Sequence, residues 1–172
     1  HLALLAAAGI SEVTVHSRLR VALLTTGSEL AEPGQPLGRY QTYNSNGVML
    51  ETMLKSMNCS VEAVSMQDNA DIIAQKISEL LTRNDMLILT GGAGNGKFDI
   101  SQTQLNAMGT MHPWSINMRP GRPMRFGQIQ GKPVFVLPGN PVAAFVTFLE
   151  FVRGSLLQMQ GLKKDLWLKQ YP

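Results

Sequence analysis

The sequence predicts a three-layer α/β fold with a mostly parallel sheet, and three observations predict it. Apolar runs at 20–25 and 86–90 each end abruptly in threonine and glycine. Helical stripes alternate with these runs along the chain. A proline-glycine-asparagine-proline break at 138–141 then precedes a long apolar helix.

Each element has a local cause. The run RVALLT at 20–25 is continuous and short, which suits a buried strand ending at Thr26-Gly27. Residues 42–58 predict a helix, with Asn44, Ser45 or Asn46 as its cap. Leu50, Met53, Leu54 and Met57 make its apolar stripe. SVEAVSM at 60–66 alternates as a strand does. A second helix is expected at 70–82, with Ile73, Ile77, Leu80 and Leu81 on one face. A strand at 86–90 leads into a glycine loop, and 101–107 suits a short helix. Strands are then expected at 114–118, 123–128 and 133–137, the last two joined by a Gln130-Gly131 hairpin turn. Asn140 as N-cap and Pro141 at the first helical position start a helix running to 159. Its face Ala144, Phe148, Phe151 and Leu156 points inward, and Gly161 is the stop.

Composition narrows the function. The 172 residues fit one domain, with 44% apolar and 16% charged residues and a net charge of +3. That charge suits a small anionic ligand. It lacks the dense basic stripe of a nucleic-acid binder, so no nucleic-acid partner is expected. The single cysteine, Cys59, excludes an internal disulfide and makes a reducing cytoplasm the default. No apolar run is expected to approach the roughly 20 residues of a membrane helix, and so no membrane association is expected. The chain begins at His1, not Met, inside an apolar segment, which suggests a piece of something longer. Residues 1–19 read as a connecting segment, 20–160 as the domain, and 161–172 as the start of a linker or further domain.

Parallel sheets place ligands at the carboxyl ends of their strands. Three loops share that edge: Thr26-Gly27-Ser28-Glu29, the loop from Gly91 to Asp99, and Pro138-Gly139-Asn140-Pro141. The middle loop reads LTGGAGNGKFD from Leu89, with glycine at 91, 92, 94 and 96. Glycines let backbone N–H groups approach a ligand closely, so a phosphate cradle is the functional reading and a plain turn the bland one. Gly91, Gly96 and Lys97 match a nucleotide P-loop, but Phe98 stands where that motif needs a hydroxyl for Mg²⁺. Asp99 suits a metal or a ligand hydroxyl, or else a helix cap. Asp68 and Glu29, at other strand ends, carry the same two readings. Arg119 and Arg122 flank Pro120-Gly121 and suit bidentate oxyanion contacts, or a solvated basic turn. His1, His16 and His112 have no metal spacing. No Ser-His-Asp or Cys-His arrangement is visible.

Together these segments resemble the molybdenum-inserting domain of the molybdopterin molybdotransferases, the MoeA and gephyrin E-domain family. The matching segments are Leu5 to Val13, Arg20 to Leu30, Pro33 to Leu37, Tyr43-Asn-Ser-Asn46, Gly91 to Asp99, Met118-Arg-Pro-Gly-Arg-Pro123 and Leu137-Pro-Gly-Asn-Pro-Val142. The resemblance implies a molybdopterin-binding α/β/α fold of the MogA and MoaB type. It implies Mg²⁺-dependent insertion of molybdate into adenylylated molybdopterin with release of AMP. It also implies a homodimer in the full-length protein and a MogA-like adenylyltransferase as partner. Carried onto this sequence, Thr26, Gly27, Gly91, Gly92, Gly94, Gly96, Arg119, Arg122, Pro138, Asn140 and Pro141 would bind the substrates. Asp99 and Asp68 would be catalytic, and Asp99, Asp68 and Glu29 would hold the metal. The chain departs from the family pattern at Ser28 and Asn44, which replace aspartates, and at Ala93, Gly94, Lys97 and Ala143. These departures motivate two other expectations: a paralogue that binds molybdopterin or a nucleotide without inserting metal, and a scaffold domain for assembly.

Overall fold

The computed structural model describes residues 1–91, 102–112 and 117–162. The elements in chain order are α1 (Leu2–Ala7), β1 (Arg20–Thr26), β2 (Leu30–Ala31), β3 (Thr42–Tyr43), α2 (Ser45–Ser56), β4 (Ser60–Met66), α3 (Ala70–Arg83), β5 (Met86–Thr90), α4 (Gln102–Met108), β6 (Gly109–His112), β7 (Arg125–Ile129), β8 (Lys132–Leu137), α5 (Pro141–Thr147) and α6 (Arg153–Met159). One π-helical turn, Phe148–Val152, joins α5 to α6.

The main sheet has the order β4-β1-β5-β8-β7-β6. Its first four strands are parallel, and β8-β7-β6 continue antiparallel. Strand residues alternate between two cores, as the period of two requires. Val21, Leu23, Met86, Ile88, Phe135 and Leu137 meet Leu50 and Leu54 of α2 and Ala144, Phe148, Val152 and Leu156 of the last helix. Ala22, Leu24, Leu87, Leu89, Val134 and Val136 meet Ile73, Ile77, Leu80 and Leu81 of α3 and Leu105 of α4. The sheet therefore lies between two helical layers, as the sequence predicts. Cys59 is buried in the first core, and burial pushes its thiol pKa up.

Four expectations need correction. The predicted helix at 42–58 begins later: Thr42 and Tyr43 form β3 beside β2, and Asn44 caps α2. Asn69, not Asp68, caps α3 by accepting the Ile72 N–H. The strand expected at 114–118 lies mostly outside the described residues, and Gly109–His112 forms an edge strand where none is expected. Two glycines decide that register, because a Cβ on Gly109 would lie 2.2 Å from the Gln128 carbonyl and one on Gly127 2.3 Å from that of Thr110. Finally, the helix from Pro141 to Met159 is long and apolar enough, by length and composition, to cross a membrane. One side of it fills the first core, which accounts for much of that apolar content.

The Gln130-Gly131 turn is as expected, with both residues at positive φ, 53° and 72°.

Candidate functional site

The carboxyl ends of β1, β5 and β8 converge, as the sequence implies. A cavity of about 150 Å³ opens there, lined by residues of all three strand ends. Thr25, Thr26 and Glu29 come from the end of β1, Thr90 and Gly91 from β5, and Gly139 and Pro141 from the turn after β8. The β2–β3 ladder and the first turn of α2 close the remaining wall with Leu30, Thr42, Tyr43, Asn44, Ser45 and Asn46.

Local rules position each wall. Gly91 has φ +87°, and a Cβ there would sit 1.9 Å from the Thr26 carbonyl oxygen. Only glycine lets β5 leave the sheet this close to β1. The Asn44 side-chain oxygen accepts the Gly47 N–H at 2.9 Å. Its amide nitrogen donates to Thr25 Oγ1 at 3.0 Å and to Glu32 Oε1 at 3.1 Å. Asn140 likewise caps α5, accepting the Ala143 N–H at 3.1 Å. Asn46 ties the cavity together: its Nδ2 donates to Thr90 Oγ1 at 3.0 Å and to the Gly139 carbonyl at 2.9 Å. Thr90 in turn donates its hydroxyl proton to the Pro138 carbonyl at 3.2 Å.

The expected site residues fall into three groups. Thr26, Glu29, Gly91 and Pro141 line the cavity. Gly27, Asp68, Pro138 and Asn140 stand behind it as supports: Gly27 is buried, and Asp68 Oδ2 accepts the Ser28 N–H at 3.1 Å. Arg119 and Arg122 line a different hollow of about 560 Å³ with Asn117 and Met118. Gly92, Gly94, Gly96, Lys97 and Asp99 lie outside the described residues. Among the described residues, no three of His, Cys, Asp and Glu gather as a metal cage.

Residue-by-residue reading missed Asn46, Thr90, Thr25 and Tyr43 as wall residues. The signal was there in Tyr43-Asn-Ser-Asn46, two asparagines spaced to place one at the cap and one in the first turn.

The sequence profile described as "Probable molybdopterin binding domain" matches residues 22–158. The chain belongs to this family. This molybdopterin-binding domain is 34% identical to a molybdopterin molybdenumtransferase of Haemophilus influenzae over 169 residues, covering 98% of the chain and 41% of that protein. It is 36% identical to molybdopterin molybdenumtransferase 2 of Mycobacterium tuberculosis, covering 94% of the chain and 42% of the relative. The domain thus spans about two fifths of the length of these relatives. Its backbone is similar to a molybdopterin biosynthesis MoeA protein of Pyrococcus horikosii, with TM-score 0.82 and 31% identity over 92% of this chain and 40% of that one. It shares its fold with the molybdopterin biosynthesis Mog protein of Mycobacterium ulcerans, with TM-score 0.61 and 17% identity over 85% of this chain and all of that one.

Proposed function

We propose that this domain serves molybdenum cofactor biosynthesis in the cytoplasm, within a homodimeric full-length molybdotransferase. There it binds adenylylated molybdopterin and molybdate, inserts the metal and releases AMP. The observation that carries the reading is the cavity built from three separate strand ends and rimmed by backbone and amide groups.

The residues divide the work. The tight turn at Gly91 carries the end of β5 to the cavity, and Gly91, Gly92, Gly94 and Gly96 would supply backbone N–H groups for phosphate. Thr26, Asn140 and Pro141 shape the opposite rim. Arg119 and Arg122 serve as the cationic contacts for an oxyanion of the substrate. Mg²⁺ fits the acidic groups at this edge: Glu29 lines the cavity, and Asp68 Oδ1 is buried without a partner. That ion takes one or two carboxylates and completes its shell with phosphate oxygens and water, so it needs no protein cage. When bound it would neutralise phosphate charge. Asp99, beyond the loop, positions the attacking water. A MogA-like adenylyltransferase supplies the adenylylated substrate.

One observation favours the second reading, ligand binding without insertion. Asn44 stands where the family pattern has aspartate, and its amide donates to both Thr25 and Glu32. An aspartate there would set like charge against Glu32. The position is thus fitted as a structural cap in this chain.

An insertion assay on the full-length protein separates the two, with adenylylated molybdopterin, molybdate and Mg²⁺ and with Asp99→Ala as control. AMP release and active cofactor, both lost in the variant, support the enzyme. Tight binding with no release supports the binding protein.

A further inference from the structure

Tyr43 stands in the cavity wall with a ring that the protein itself leaves partly uncovered. Among the described residues that line the cavity it alone is aromatic. Its wall neighbours Asn44 and Asn46 are buried, whereas Tyr43 is 43% exposed. Among the described residues no aromatic ring or guanidinium stacks on it. A single exposed ring is ordinary on a protein surface. This one is unusual because both of its ends are tied. Its backbone is held in the β2–β3 ladder, where Tyr43 pairs with Ala31. On either side, the Thr42 N–H donates to the Glu29 carbonyl and the Asn44 N–H to the Ala31 carbonyl, each at 2.9 Å. At the far end the phenol O–H donates to the Gln35 carbonyl at 3.1 Å. That bond spends the only proton of the hydroxyl. What Tyr43 offers a ligand is therefore flat apolar surface and no donor.

We infer that Tyr43 is the aromatic platform of the cavity and stacks against a flat heteroaromatic group of the ligand. The inference rests on the proposed function and deepens it, because it names the part of the ligand that this wall receives. The adenine and the pterin of adenylylated molybdopterin are both flat heteroaromatic rings, and Tyr43 presents the same surface to either. The other lining side chains are hydroxyls, amides, the Glu29 carboxylate and the aliphatic Leu30 and Pro141, and none of these is a ring with a π-face. Stacking covers apolar surface that water now wets, and offset aromatic pairs gain beyond the area they bury. A side chain fixed at both ends also loses little conformational freedom on contact, so more of that gain appears as affinity.

The test is calorimetric titration of the full-length protein with two ligands, AMP and molybdopterin, in the wild type and three variants. Tyr43→Leu removes the ring and keeps an apolar side chain. It should weaken at least one of the two ligands by about tenfold. Tyr43→Phe and Tyr43→Trp keep a ring and should weaken that same ligand by no more than about threefold. Tyr43→Val, which suits a strand, replaces Tyr43→Leu if the latter does not fold. A loss confined to AMP identifies adenine as the stacked ring, and a loss confined to molybdopterin identifies the pterin. Wild-type affinity of Tyr43→Leu for both ligands overturns the inference. So does a loss in Tyr43→Phe as large as that in Tyr43→Leu, which would assign the effect to the hydroxyl and its hold on Gln35. Failure of the wild type to bind either ligand overturns the functional reading and the inference together, whereas binding that ignores the ring overturns the inference alone.

Discussion

The two ends of the parallel strands solve opposite problems. At the amino end, charges meet their partners. Asp85, just before β5, accepts the Arg20 backbone N–H at 2.8 Å and the Arg20 guanidinium at 2.9 Å. Glu62 of β4 accepts from Arg83 Nε at 2.8 Å and from the Asn84 amide at 2.8 Å, while Glu79 ties Arg83 to α3 at 3.0 Å. Lys132 at the start of β8 donates to the Leu81 carbonyl. At the carboxyl end, hydroxyls, amides and the Glu29 carboxylate line a cavity, and two buried oxygens, Asn46 Oδ1 and Asp68 Oδ1, are left without partners. One end closes its polar groups against each other and fastens α3 to the sheet. The other holds them apart around a space. The difference supports the proposal that the carboxyl end is the one used on a ligand.

The largest predicted effect breaks the open end. Gly91→Ala drives a Cβ into the Thr26 carbonyl at a backbone angle hostile to side chains. It should cost about 3 kcal/mol of stability in urea unfolding and abolish nucleotide binding. Next comes Thr90→Val, which strips two hydrogen bonds from a buried position. A loss of about 1–2 kcal/mol is expected, with a parallel fall in ligand affinity measured by calorimetry.

Changes at the closed end should be smaller and leave ligand affinity untouched. The Arg83 guanidinium and the Asn84 amide lower the Glu62 pKa from an ordinary 4.5 to about 2. A carboxylate depressed in the folded state stabilises fully above its unfolded pKa and loses that contribution as pH falls towards the folded one. Urea midpoints should therefore drop between about pH 4.5 and 2 in the wild type, and the drop should be shallower in Glu62→Gln. Added salt should shrink the effect, since the pair is half exposed. The smallest effect belongs to Asp85→Asn. Arg20 holds the Asp85 carboxyl below its usual range, so the variant should lose a little acid-sensitive stability and nothing in ligand titration.

Most of the parallel half was legible because strands buried on both faces read as unbroken apolar runs, as RVALLTT and MLILT do. The α3 stripe and the Asn140-Pro141 start were equally plain. The antiparallel edge was harder. In β6 and β7 the pairing depends on Gly109 and Gly127 permitting close backbone approach, and glycine carries no hydrophobic signal. The start of α2 was misplaced because Thr42 and Tyr43 pair with a two-residue strand, a tertiary contact no periodicity announces. Within the site, the three converging strand ends followed from strand order. The orphaned Asn46 oxygen did not, because it emerges only when Thr90 and Gly139, far apart in sequence, both accept from the nitrogen of one amide.

The most direct test of the account is calorimetric titration of adenylylated molybdopterin into the full-length protein and two variants, one from each end. The account predicts that Glu62→Gln binds as the wild type does, while Thr90→Val binds at least about tenfold more weakly. Unchanged affinity in a folded Thr90→Val, or a loss in Glu62→Gln, would contradict it.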